Sequence, residues 1–156
     1  MTKIWIDADA CPLAIKEVVF KAAQRTKTPA TLVANSQMRI PSSEYISLVV
    51  VEKGADVADA YIVDHCSSKD LVITADIPLA DLIVQKKALA INPRGKIYTA
   101  DSIKEALSIR NFMDDMRSAG MVSGGPPPFN PKDVQAFANG FDRLLTKALR
   151  AGNRRS

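Results

Sequence analysis

Six aspartates that follow apolar runs are the residues of this chain best suited to chemistry. Asp7 and Asp9 come directly after Ile4, Trp5 and Ile6. Asp56 and Asp59 open a helical pattern after the third apolar run, and Asp76 and Asp81 follow the fourth. Carboxylates brought together repel, and one of them takes up a proton unless a cation neutralises the group. Oxygen-only donors with no His or Cys favour a hard ion, Mg²⁺ or Mn²⁺, over zinc. Two such ions about 4 Å apart activate water and stabilise the leaving oxygen in phosphodiester cleavage. Each acid also has a structural explanation. Asp9 and Asp76 precede helices with an early proline and suit N-caps. Asp56 and Asp59 lie three apart in a first turn, on one helical face and favoured there by the helix dipole. Asp81 suits an exposed helical turn. Asp7 differs, because it ends a buried strand and has no cap to make.

Other side chains near the same edge are candidates for substrate contact. Arg94, in the turn Asn92-Pro93-Arg94-Gly95, could fork onto a phosphate or simply occupy a surface turn. Asn35 and Ser36 end the second strand, where they could orient a water or a phosphate; turn chemistry explains them equally well. Gly124 and Gly125 give a segment able to close over a site, or only a connection. His65 stands alone on a helix. Cys11 has no His near it in sequence and reads as a small buried residue.

For the acids to converge, the elements carrying them must share one sheet edge. Strands are expected at 4–6 (closed by Asp7), Ala30–Ala34, 46–51, 70–74 and 88–91. The run ISLVVV at 46–51 is apolar enough for a strand covered on both faces. Helices are expected from Pro12 to about Arg25, from Gly54 to near Cys66, and over 78–86. Ser102 and Glu105 match a capping box for a helix reaching about Ser118. Asn130 and Pro131 suit the start of a last helix to about Arg150, with Val134, Phe137, Phe141, Leu144, Leu145 and Ala148 as its core stripe. Alternating strands and helices predict a three-layer α/β fold: a mostly parallel, five-stranded sheet with helices on both faces, plus C-terminal helices. In such a sheet the crevice lies beyond the carboxyl ends of the strands, where all three acidic groups fall.

The totals fit this reading. A chain of 156 residues with 47% apolar and 24% charged residues suits one globular domain, spanning 1–150. No apolar run approaches the roughly 20 residues needed to span a bilayer. The N-terminus does not resemble a signal peptide, since Asp7 and Asp9 interrupt it. Two cysteines suggest a reducing cytoplasm rather than a disulfide framework. The net charge of +4 is uneven: Arg143, Lys147, Arg150, Arg154 and Arg155 carry no accompanying acid, which leaves 16 basic against 17 acidic residues in 1–142. The end of the chain, with 151–156 expected as a disordered basic tail, is either an arm for a phosphate backbone or a solvated, frayed helix end.

The blocks IDADACP, KGADVADAYIV, DLVITADIPLA, NPRG and GGPPPF, in that order, resemble the YaiI/YqxD family of small bacterial proteins over nearly the whole chain. That family is similar in turn to the PIN-like nucleases, including their NYN branch. The resemblance implies a PIN-like parallel sheet, a carboxylate cluster for Mg²⁺ or Mn²⁺, and nucleic acid, RNA more than DNA, as substrate. Asp7, Asp56 and Asp76 fall on the three typical acidic positions, with Asp9 and Asp59 as additions. PIN-like nucleases often carry another acid two residues after the third position. Here Pro78 stands there, so either Asp81 substitutes or one metal position is lost. Two alternatives stay open. Asp7 and Asp9 with Ser36, Lys53, Asp76 and Asp81 resemble the haloacid-dehalogenase-like phosphatases, with Asp7 as nucleophile, although those proteins need a flap after the first strand. The other alternative is an RNA-binding protein without catalysis.

Overall fold

A computed structural model describes residues 2–54, 56–121 and 128–153. Ile4–Asp7 forms β1, buried along its whole length because it lies in the middle of the sheet. A short 3-10 turn, Ala8–Ala10, leads to α1, Leu13–Thr26. Then follow β2 (Ala30–Ala34), β3 (Ile46–Val50), α2 (Val57–His65), β4 (Leu71–Ile73), α3 (Ile77–Gln85) and β5 (Leu89–Ile91). The chain continues through β6 (Ile97–Tyr98) and α4 (Ala100–Ser118) to α5 (Pro131–Asn153). The spatial order is β3-β2-β1-β4-β5-β6, with β1 to β5 parallel and β6 antiparallel to β5.

The helices divide the core into two layers. Ile15 and Val19 of α1 and Phe137, Phe141 and Leu145 of α5 pack on one sheet face against Ile4, Ile6 and Leu32. Ile62 of α2, Leu79 and Ile83 of α3, and Ile103 of α4 pack on the other against Trp5, Val33 and Val72. Strand residues thus alternate between the two faces, as the period of two requires. Each fully buried Ile or Leu contributes roughly 1.5–3 kcal/mol to this arrangement.

The three-layer α/β reading holds, with differences of detail. The sheet has six strands, because the turn at 92–95 folds the chain back as a hairpin: Asn92 Oδ1 accepts from the backbone N–H groups of Arg94 and Lys96 at 2.9 Å. Two residues with no alternation gave no sign of β6. β3 is an edge strand with Ser47 and Val50 exposed, so its apolar run does not mean cover on both faces. The cap of α4 is Thr99 rather than Ser102. Its hydroxyl accepts from Ser102 N at 3.1 Å, and Ser102 Oγ accepts from Thr99 N at 2.8 Å. Asn130 does cap α5, accepting from Lys132 N at 2.8 Å and Asp133 N at 3.2 Å, and the expected stripe is its core face. Residues 122–127, with Gly124 and Gly125, lie outside the described residues, as do 154–156 of the expected tail, whereas α5 continues through Asn153.

α5 presses on the turn at 92–95 so closely that only glycine fits at position 95. A Cβ there would stand 2.6 Å from the backbone carbonyl of Ala136 and 2.8 Å from Phe137 N, and its φ of +94° already disfavours other residues. Gly95→Ala is therefore expected to cost about 2–4 kcal/mol, since backbone of α5 must move. Gly120→Ala, with φ +73° and nothing within 4 Å, should cost only backbone strain, about 1 kcal/mol. Urea unfolding midpoints at unchanged slope would measure both. Equal losses for the two would mean that the contact with α5 adds nothing.

Candidate active site

The strand order reverses between β1 and β4. β1 leads outward to β2 and β3, and β4 leads the other way to β5. At such a switch point the loops diverge and leave a crevice at the carboxyl ends of the strands. Asp7 is the last residue of β1; Thr74 directly follows β4, and Asp76 lies two residues beyond. The topology alone therefore brings the first and third acidic groups together.

Asp7 is buried, 9% exposed. Thr74 donates its hydroxyl to Asp7 Oδ2 at 2.9 Å and accepts from Asp76 N at 3.0 Å, so one hydroxyl joins the two loops. Asp76 Oδ1 accepts from Leu79 N at 2.9 Å and caps α3. The N-cap explanation of Asp76 is correct and still leaves it beside Asp7 and Asp59. Asp59, half-buried in the first turn of α2, faces the same group. Burial pushes its carboxyl up, as do the charges of Asp76, Asp7 and Asp56 and a hydrogen bond with Asp76, to a pKa of about 7. Burial likewise raises Asp7; the Thr74 hydrogen bond opposes the rise, and Asp76 and Asp9 add to it. Asp56 is exposed at the head of α2, in a left-handed conformation at φ 66°, and its side chain caps nothing.

The remaining candidates divide. Asp9 is not an N-cap: α1 starts after Pro12 without a side-chain cap. Asp9 Oδ2 instead accepts from Asn35 N at 2.8 Å and ties the turn after β1 to the end of β2. Among the described residues, buried Asn35 Oδ1 finds no hydrogen-bond partner, and Ser36 is exposed. Asp81 accepts from Gln85 Nε2 at 2.9 Å, one turn along its own helix, and is absent from the charges acting on Asp7 and Asp59. Arg94 is half-buried and points into α5, with Nη1 3.0 Å from Asp133 Oδ2 and its guanidinium 5.8 Å from the centre of the Phe129 ring. It fastens the turn to that helix. His65 stacks on Tyr61 with centroids 3.9 Å apart, and burial pushes the Cys11 thiol up to about 12, which suits inert filling.

Asp7, Asp59 and Asp76 thus act on one another, with Asp9 and Asp56 at the rim. Among the described residues, no three of His, Cys, Asp or Glu close into a ready metal cage. Beside the acids, a groove of about 410 Å³ runs between α2 and α3, with Asp56 and Asp59 on one wall and Val63, Pro78, Leu79 and Leu82 as apolar lining. Thr74 is the residue that sequence reasoning missed. Its signal was the hydroxyl between the apolar strand LVI and Asp76.

The proton on Asp59 has a consequence for stability. Its pKa of about 7 exceeds the ordinary value of 3.8, so the folded protein retains a proton that the unfolded chain loses. This contribution is complete below about pH 4 and is lost as pH rises through about 7. In EDTA, Asp59→Asn is expected to gain stability relative to wild type between about pH 5 and pH 8. After discounting for solvent screening the gain is about 1 kcal/mol, or about 2–4 °C in Tm. A difference in Tm that stays flat across that range would show that Asp59 carries no such proton.

Comparison with known proteins agrees over nearly the full length. A UPF0178 protein of Hydrogenovibrio crunogenus is 58% identical over 147 residues, 94% of this chain and 97% of the relative. One from Shewanella baltica is 57% identical over 145 residues, 93% and 97% of the two chains. One from Bordetella petrii is 54% identical over 148 residues, 95% and 99%. No solved structure matches the chain significantly. The family described as "Uncharacterized BCR, YaiI/YqxD family" matches residues 5–147, and the chain belongs to it.

Proposed function

We propose that this chain is a metal-dependent phosphodiesterase acting on nucleic acid, RNA foremost, in which Asp7, Asp59 and Asp76 hold Mg²⁺ or Mn²⁺. The observation that carries the reading is the meeting of three acids from β1, α2 and the β4–α3 loop at the switch point, with Asp7 buried behind a single side-chain donor. A site of this charge repels a phosphodiester unless a cation is present. The donor set suits a hard ion, being all oxygen. Asn35 Oδ1, buried and unpartnered near the same edge, is a further oxygen of that kind. Asp9 and Asp56 at the rim add negative charge. When bound, Mg²⁺ or Mn²⁺ would supply an activated water and charge compensation at the leaving oxygen.

The chain's own residues do the rest. Thr74 fixes the orientation of Asp7, and the cap on α3 fixes Asp76. Asp59, which burial and its acidic neighbours keep protonated near neutrality in the metal-free fold, would give up that proton as the cation binds. The apolar lining between α2 and α3 suits the face of a base or sugar. Asp81 and Arg94 have no part in this mechanism. The phosphatase reading finds less support: a three-residue turn, Cys11 and Pro12 separate Asp7 from α1, leaving no flap, and Ser36 and Lys53 are both exposed.

Digestion of single-stranded and structured RNA with added Mn²⁺ tests the proposal. Wild type is expected to cleave, EDTA to stop it, and Asp7→Asn or Asp76→Asn to slow it at least about 100-fold. Asn caps a helix as well as Asp does, so Asp76→Asn should spare α3. Equal activity in all three proteins would sink the carboxylate site. A fluoride–metal phosphate mimic trapped on Asp7 would favour the phosphatase instead.

A further inference from the structure

The opposite end of the sheet carries the opposite charge. A cavity of about 380 Å³ opens where β4 and β5 begin, lined by Lys69, Lys87 and Lys147 with the hydroxyl-bearing Ser68 and apolar Leu89. Lys69 comes from the turn before β4, Lys87 from the turn after α3, and Lys147 from α5. Among the described residues, no acid lines it. A second, larger cavity of about 670 Å³ shares Lys147 and Ala151 and continues past Arg143 and Arg150. Its one acid, Asp142, lies 3.5 Å from Arg25. Among the described residues, none of the five cations forms an ion pair.

A helix dipole accounts for cations near the end of α5, since Lys147 and Arg150 lie in its later turns. It does not account for Lys69 and Lys87, which two other loops bring to the same place. Arg143, Lys147 and Arg150 are spaced by four and three, so they share a helical face and repel one another by a few tenths of a kcal/mol per pair. They form a row about 10 Å long, with the two loop lysines beside it. A single small anion does not span such a row; successive phosphates of a strand do. Among the described residues, no aromatic side chain lines either cavity, so the recognition is electrostatic rather than by base stacking.

We propose that Lys69, Lys87, Arg143, Lys147 and Arg150 form a binding groove for a nucleic-acid backbone, separate from the carboxylate site and at the other end of the sheet. The groove binds without regard to sequence and without metal. It goes beyond the catalytic reading and does not depend on it.

Fluorescence anisotropy of the full chain in EDTA, with a labelled polyuridine RNA of about 20 nucleotides, tests the groove apart from any cleavage. Wild type is expected to bind with a log–log salt slope near −3.5, about −0.7 for each of five neutralised phosphates. Lys69→Glu, Lys87→Glu and Lys147→Glu together are expected to weaken binding at least about tenfold and to flatten the slope by about 2. Arg110→Gln with Arg117→Gln, on α4 and paired with Asp114, should bind as wild type does. A thermal melt checks the folding of each variant, and the corresponding Gln triple variant serves if the Glu one does not fold. No binding by wild type overturns the proposal. So does a folded triple variant with wild-type affinity and slope, or retention of wild type on phosphatidylglycerol vesicles without RNA binding.

Discussion

The burial of a carboxylate at the end of the central strand is the constraint around which this molecule is arranged. β1 and β4 each lie against a buried aspartate, one at either end, and the two are treated differently. Asp70, 2% exposed, accepts from Lys3 N at 3.0 Å, Trp5 Nε1 at 2.9 Å and Ser67 N at 2.9 Å. Three donors satisfy it, and it stitches the start of β4 to β1. Asp7, at the other end, has one side-chain donor, Thr74, and negative neighbours in Asp76 and Asp9. A buried polar group with so little compensation is costly. The contrast between a fully satisfied Asp70 and a poorly compensated Asp7 within one pair of strands is what the proposed metal site rests on.

The rest of the site follows from holding Asp7 in place. Because β1 and β4 are parallel neighbours at the point where the strand order reverses, whatever follows β4 must land beside Asp7. Thr74 and Asp76 land there, and the cap on α3 then fixes how the chain leaves. α2, packed beside α3 on the same sheet face, brings its first turn and Asp59 to the group. The charges on Asp59 and Asp7 are disfavoured by one cause, shared burial among like charges.

What was legible in the sequence, and what was not, follows from range. Apolar runs closed by acids are local signals, so the parallel strands β1 to β5 and the nearness of Asp7 to Asp76 could be read from them. The cap by Asp76 was equally readable. Asp81 could not be placed by that logic: five residues past Asp76, about 140° round α3, it turns away and bonds Gln85 instead. Arg94 depended on a partner 39 residues later, Asp133, whose position is set by the packing of α5. Asp9 depended on the backbone of Asn35, across β2. Thr74 was overlooked because a threonine after a β-branched strand is unremarkable until its neighbour is a buried carboxylate.

The overall charge of +4 is also separated in space, between the two ends of the sheet. Acids gather where strands β1 and β4 end, and cations gather where β4 and β5 begin, although β4 itself is only three residues long. At about 3.3 Å per residue that strand spans about 10 Å, little more than one Debye length at physiological salt. A polyanion approaching the molecule is drawn to the basic end and repelled from the acidic one. The two ends can serve a single strand only if divalent cations reverse the sign of the carboxylate site. On that argument, the metal proposed for Asp7, Asp59 and Asp76 would do more than supply chemistry. It would decide whether a strand held at the proposed basic groove can reach the carboxylates at all, so that binding without metal and cleavage with it would be separable properties of one fold.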